Sequence, residues 1–215
     1  MKYIILFISF IFVTFYVTPA FLEQKYKKNK VRAVLYKAMG TMFSVIFGSL
    51  GVLINPSPRA YFILTGISLG LIGDIFLEVF FPIGGIAFLI GNLIYIRSMT
   101  TIIGIHTSQI ILCFLLLIAI YLSLHKGLQS YPIYYRLLFL PYAIIVTFMA
   151  ATAICFLYSR HGADTLLGLG TLLFAISDYM LIYRVLYNNQ KSLYSISLST
   201  YYIAQLVISS SLLLS

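Results

Sequence analysis

Residues 60–80 read AYFILTGISLGLIGDIFLEVF. A helix over this stretch rises about 1.5 Å per residue and reaches about 30 Å, the thickness of a bilayer's hydrocarbon core. Its only charges are Asp74 and Glu78. The rest of the 215-residue chain has the same character: 61% hydrophobic residues, 9% charged, mean hydropathy +1.02. A soluble fold needs far more polar residues to cover its surface. A soluble globular enzyme and a disordered chain are therefore both excluded. The apolar residues come in long unbroken runs, not in the alternating segments of about ten residues that build an outer-membrane barrel. The fold class is all-α: a polytopic membrane protein, a bundle of eight transmembrane helices forming one domain over residues 1–215.

Polar breaks divide the chain into spans at Tyr3–Leu22, Ala33–Ile54, Ala60–Phe80, Ile83–Ile103, Ile105–Leu124, Arg136–Tyr158, Ala163–Leu186 and Ser192–Leu213. The breaks carry turn chemistry: Asn55-Pro56-Ser57-Pro58, Phe81-Pro82 with Gly84-Gly85, Ser159-Arg160-His161-Gly162, and Asn188-Asn189. Such short loops make consecutive helices antiparallel neighbours. Thr18-Pro19-Ala20 loosely resembles a leader cleavage site, but a basic cluster (Lys25, Lys27, Lys28, Lys30, Arg32) follows at once, so the first segment reads as a true span. The net charge of +9, from 14 Lys and Arg against 5 Asp and Glu, is a topology signal in this setting and no nucleic-acid signature. Loops after odd-numbered spans hold Lys25, Lys27, Lys28, Lys30, Arg32, Lys126, Arg136, Arg184 and Lys191; the other side has Lys2, Arg59, Arg97 and Arg160. Both termini are expected on the extracytoplasmic side, in the inner membrane if the host is bacterial. Cys113 and Cys155 lie within apolar runs, and His106, His125 and His161 lack metal-ligand spacing, so neither a disulfide framework nor a metal is expected.

Ionisable groups inside spans are costly and are functional candidates. Glu78 and Arg184 lie near predicted span ends and are expected to snorkel, and Arg97 to pair or reach outward. Lys37, Asp74 and Asp178 lie deeper. The third and seventh spans run in the same direction, and Asp74 and Asp178 stand at nearly the same position along them, which places the two carboxyls at one depth to within a turn. Lys37 enters from the cytoplasmic end of the second span at a similar level. Asn92 and Tyr95 share one face of the fourth span, and Tyr201 and Gln205 one face of the eighth. Asn, Tyr and Gln in spans often only join helices. Two carboxyls beside a lysine point further, to a site. Small residues (Gly66, Gly70, Gly73, Ala175, Ser177) leave room for a neighbouring backbone or a ligand. Two carboxyls in a low-dielectric cavity cannot both ionise cheaply, so one is expected to keep its proton while Lys37 stabilises the other. That pair supplies a general acid and a carboxylate, and its depth implies a lipid-like substrate or an ion.

At these residues the chain resembles the YhhN-type lysoplasmalogenase family of small membrane proteins. Leu71-Ile72-Gly73-Asp74-Ile75-Phe76-Leu77 with Ala87-Phe88-Leu89-Ile90-Gly91-Asn92-Leu93-Ile94-Tyr95 is similar to that family's first signature. Leu173-Phe174-Ala175-Ile176-Ser177-Asp178 is similar to its second acidic motif, and Tyr201-Tyr202-Ile203-Ala204-Gln205-Leu206-Val207-Ile208 to its last-helix pattern. Lys37 matches a lysine of its second helix. The resemblance covers nearly the whole chain with one departure, Asn92 where the family usually has His. It implies hydrolysis of the vinyl-ether bond of a lysophospholipid, the lysoplasmalogen, to a fatty aldehyde and a glycerophospho-alcohol, with no metal or organic cofactor. Asp74 and Asp178 would be the catalytic acid–base pair, Lys37 would tune it or bind phosphate, and Asn92, Tyr95, Tyr201 and Gln205 would orient substrate and water.

A proton- or solute-coupled transporter is the alternative from another class, since buried Lys and Asp also suit proton relays. An intramembrane aspartyl protease needs paired aspartates too, but its GxGD pattern fails at Leu71.

Overall fold

The computed structural model describes residues 2–130, 133–187 and 191–214, with no side-chain description for 2–3, 134–138 and 191. Among the described residues there are only helices, and eight are long and apolar enough to cross a membrane. The first, α1, joins Lys2–Phe12 to Thr18–Tyr26 through a π-helical turn at Val13–Val17. Pro19 lacks the N–H that an α-helix needs there, which loosens the preceding turn, and Thr18 Oγ1 donates to the Val13 carbonyl at 3.1 Å. Val13, Val17 and Phe21 are fully buried, so this segment is a packed part of the bundle. The others are α2 (Lys30–Ile54), α3 (Pro58–Val79), α4 (Phe81–Ile103), α5 (Thr107–Gln129), α6 (Ile133–Ser159), α7 (Ala163–Tyr187) and α8 (Lys191–Leu213).

Local chemistry sets the ends. Ser57 caps α3 by accepting from the Ala60 N–H at 3.1 Å, with Pro58 in the first turn, and Asn29 caps α2 by accepting from the Arg32 N–H. Gly104 and Gly162, both at positive φ, turn the chain into α5 and α7. The expected break at Phe81-Pro82 with Gly84-Gly85 is a correction: all four residues lie inside α4, and only Phe80 separates it from α3. A Cβ on Gly84 would stand 2.5 Å from the Leu77 backbone N, so glycine permits the close return of the chain. The Asn188-Asn189 break lies outside the described residues.

Among the described residues the main core draws on every helix but α5, with Val13, Val17 and Phe21 of α1 and Met149, Ala153 and Phe156 of α6 joining α2, α3, α4, α7 and α8. The closest pairings are α7 on α8 and α3 on α4, with α2 against both α3 and α8. Helix α8 is the most enclosed and the least hydropathic of the eight, because a helix surrounded by protein need not match lipid. Its Ser209, Ser210 and Ser211 are buried and bond to carbonyls of their own helix. Helix α5 is the outermost and presents Phe114, Leu115, Tyr121 and Leu122 outward. At the end of the bundle away from Lys25, Arg59 of α3 bridges Asp164 of α7 at 2.7 Å. Arg97 is exposed on the outer face of α4, in line with the outward reach expected of it.

Candidate active site

Asp74 of α3 and Asp178 of α7 line one cavity of about 80 Å³, together with Lys37, Glu78, Ser177 and Tyr201. That is room for several waters or for the reacting portion of a ligand. The aspartates are almost wholly buried, at 1% and 4% exposure. Lys25, Phe81, Arg184 and Tyr194 line it nearer the Lys25 end of the bundle, where Lys25 and Phe81 are partly open.

The two carboxyls have different partners. Asp74 Oδ2 accepts from the hydroxyls of Thr41 and Tyr201, the latter at 2.9 Å, and its Oδ1 faces Lys37 Nζ at 4.0 Å. Asp178 Oδ2 accepts from Tyr142 Oη–H at 2.8 Å and from the Asn92 amide at 3.1 Å. Among the described residues no cation lies within ion-pairing distance of Asp178.

Close helix contacts hold these groups in register. Ser177, beside Asp178, donates to the Ser197 carbonyl at 3.0 Å, and Ser197 donates back to the Ser177 carbonyl at 3.2 Å, clasping α7 to α8. The glycines of α3 receive side chains, where the sequence left open a backbone or a ligand. A Cβ on Gly73 would stand 2.7 Å from the Phe88 ring, and one on Gly70 2.6 Å from Gln205 Nε2 and 3.0 Å from Tyr201 Oη.

Glu78 is the main correction to the sequence reading. Expected to snorkel, it is turned inward, one turn along α3 from Asp74, with a side chain only 12% exposed. Its carboxylate accepts from Lys37 at 3.0 Å and from Lys25 at 2.8 and 2.9 Å. Lys37 is thus closer to Glu78 than to Asp74. A buried cation needs such partners, since an unpaired charge at this depth is expensive. Lys25, placed in a loop cluster by the sequence reading, belongs to the last turn of α1 and also donates to Tyr194 Oη at 2.8 Å. Arg184 does not snorkel either: it is 9% exposed and packs over the Tyr194 ring.

Of the residues predicted from sequence, Lys37, Asp74, Asp178 and Tyr201 meet at the cavity, and Asn92 reaches Asp178 from behind it. Tyr95 and Gln205 are fully buried and bond each other at 3.2 Å, away from the lining. Thr41, Glu78 and Tyr142 were missed. Thr41 stands four residues from Lys37, and Glu78 four from Asp74, so helical spacing marks both. Tyr142 follows Pro141 in α6, and nothing in its surrounding sequence singles it out.

The YhhN family model matches residues 32–212, most of the chain and all seven helices from α2 onward. No curated protein and no solved structure matches it.

Proposed function

This chain belongs to the YhhN family, the lysoplasmalogenase family, and we propose that it hydrolyses the vinyl-ether bond of lysoplasmalogens with Asp74 and Asp178 as its working carboxyls. The observation that carries this reading is the unequal pair in one cavity: a carboxyl beside a lysine, and another whose partners are uncharged. A cation stabilises a carboxylate, and a low-dielectric site without one favours the neutral acid. Asp74 therefore serves as the carboxylate and Asp178 as the acid.

The proton of Asp178 goes to the β-carbon of the enol ether, whose π electrons form the new C–H bond. The α-carbon and its ether oxygen become an oxocarbenium ion, stabilised by the Asp74 carboxylate. Water adds to the α-carbon and gives its proton to Asp74, leaving a hemiacetal. Asp178, now anionic, takes the hemiacetal hydroxyl proton as the C–O bond breaks, and Asp74 protonates the departing glycerol oxygen. Aldehyde and glycerophospho-alcohol leave, and both carboxyls return to their starting states. Lys37 and Tyr201 hold the Asp74 carboxylate, and Asn92 and Tyr142 hold Asp178. Tyr95 and Gln205 brace the wall behind Tyr201 and act as positioning residues.

The bundle is a multi-pass integral membrane protein. By the positive-inside rule its Lys25 end faces the cytoplasm, so substrate enters from that leaflet. Arg136 and Lys191, which contribute to the charge count, have side chains outside the described set. The test is aldehyde release from lysoplasmalogen by purified protein, beside Asp74→Asn and Asp178→Asn. Wild-type release lost in both variants supports the reading; release that survives in both, or a folded wild type that releases none, sinks it.

A further inference from the structure

The outer part of the cavity has chemistry that the acid pair does not use. The guanidinium of Arg184 lies 3.5 Å from the centroid of the Tyr194 ring, and Lys25 Nζ lies 4.8 Å from the same centroid. Glu78 accepts from Lys25 but is shared with Lys37, so with Arg184 three cations gather around that carboxylate, and a further anion placed against Lys25 and Arg184 relieves their repulsion. Both side chains line the cavity. Lys37 cannot play this part, because it is 4% exposed and turned onto Glu78 and Asp74. Lys25 keeps 35% of its side chain exposed and reaches the opening.

We propose that Lys25 and Arg184 bind the phosphate of a lysophospholipid headgroup at the cavity mouth, an assignment resting on the hydrolase reading above. It moves the phosphate-binding role from Lys37 to this outer pair. Both residues lie in the last turn of their helices, the depth at which a bilayer carries its phosphates. A guanidinium and an ammonium are the side chains best suited to that anion. The axial distances agree. Arg184 is six residues along α7 from Asp178, about 9 Å of rise. An extended glycerol backbone covers that span between its phosphate and the β-carbon of a vinyl ether at the far carbon. A phosphate held at Arg184 thus delivers the reacting double bond to Asp178.

The test uses saturated ethers, which bind without being hydrolysed. Purified full-length protein in detergent micelles is titrated with a 1-O-alkyl lysophosphatidylethanolamine and with the 1-O-alkylglycerol of the same chain length. Wild type is expected to prefer the phosphate-bearing ether by roughly 10- to 100-fold, the worth of hydrogen bonds to a charged group. Arg184→Gln and Lys25→Gln should each erase most of that preference, a ratio that a general weakening of the fold does not move. Arg184→Lys, which keeps the charge, should retain more of it than Arg184→Gln. Equal binding of the two ethers by wild type, or a preference that survives both Gln variants, overturns the assignment. Competition by inorganic phosphate as strong as by the phosphate-bearing ether overturns the headgroup as the source of the anion. Aldehyde release from lysoplasmalogen is measured beside these titrations. A phosphate preference without aldehyde would sink the hydrolase and leave the phosphate subsite standing.

Discussion

Around Asp74 the bundle gathers an ammonium and two hydroxyls, and through Glu78 a second lysine. Around Asp178 it places an amide and a phenol. The two residues share a cavity, a residue type and near-complete burial, yet one is built into a charged network and the other into a neutral one. What distinguishes them is the helices each meets. Asp74 faces α2 and α8, which carry Lys37, Thr41 and Tyr201; Asp178 faces α4 and α6, which offer Asn92 and Tyr142. Identical side chains thus acquire different surroundings from their neighbours, and it is surroundings that push acid and base apart in such pairs.

The largest effects should come from the carboxyls themselves. In the proposed mechanism Asp178→Asn removes the proton donor and Asp74→Asn the charge-stabilising base, and each should lower turnover by about 10²- to 10⁴-fold, the usual worth of such a group. If the two act on one transition state, as proposed, the double variant should be scarcely slower than the worse single one. Multiplicative losses in steady-state aldehyde assays would mean that they do not act as a pair.

Next comes the cation. Lys37→Met leaves Asp74 without its ammonium and Glu78 with Lys25 alone. Removing one member of a buried ion network costs about 3–5 kcal/mol. The expected result is a clear fall in the unfolding midpoint in detergent, together with loss of activity. Lys37→Met combined with Glu78→Gln, which withdraws one charge of each sign, should recover part of the midpoint. An unchanged midpoint in Lys37→Met would remove the charged network from the comparison.

These pairings also mark what could be read from sequence. Span number and limits were legible because lipid imposes one length and one composition on every span, and the helices follow the expected limits to within a few residues. The matched positions of Asp74 and Asp178 were legible because a fixed rise per residue turns counting into depth. The fate of Glu78 was not, because a charge near a span end can turn outward to the interface or inward to a partner. The choice depended on Lys25 and Lys37, from two other helices, converging on it. Tyr142 was illegible for a similar reason: its role exists only because α6 packs on α7, and no periodicity within α6 encodes that.

The phenols sharpen the comparison further. Tyr201→Phe removes a donor to Asp74 and Tyr142→Phe a donor to Asp178. A hydrogen bond to a charged acceptor is worth about 1.5–3 kcal/mol, and one to a neutral acceptor about 0.5–1.5 kcal/mol. Asp178 passes from neutral to charged as it gives up its proton, while Asp74 is charged throughout, so Tyr142→Phe should slow turnover by roughly tenfold and Tyr201→Phe by less. A larger loss of kcat in Tyr201→Phe than in Tyr142→Phe would exchange the two roles and make Asp74 the acid.

The smallest effect is expected at Asn92, where the resemblance to the family shows the one departure. The amide donates to Asp178 Oδ2 at 3.1 Å, the same oxygen that Tyr142 holds. Asn92 is fully buried and outside the cavity lining, so it holds the carboxyl from behind. A donor in that position needs an N–H and nothing else, and His offers one in either tautomer. Asn92→His should then leave kcat within a few-fold of wild type, whereas Asn92→Leu, of similar size but with no donor, should cost about as much as Tyr142→Phe. If Asn92→His instead raised kcat by tenfold or more and gave it a new pH dependence near neutrality, the imidazole would be carrying a proton. Position 92 would then be a third catalytic group that this chain has given up, and the contrast between its two carboxyls would be only part of the family's machinery.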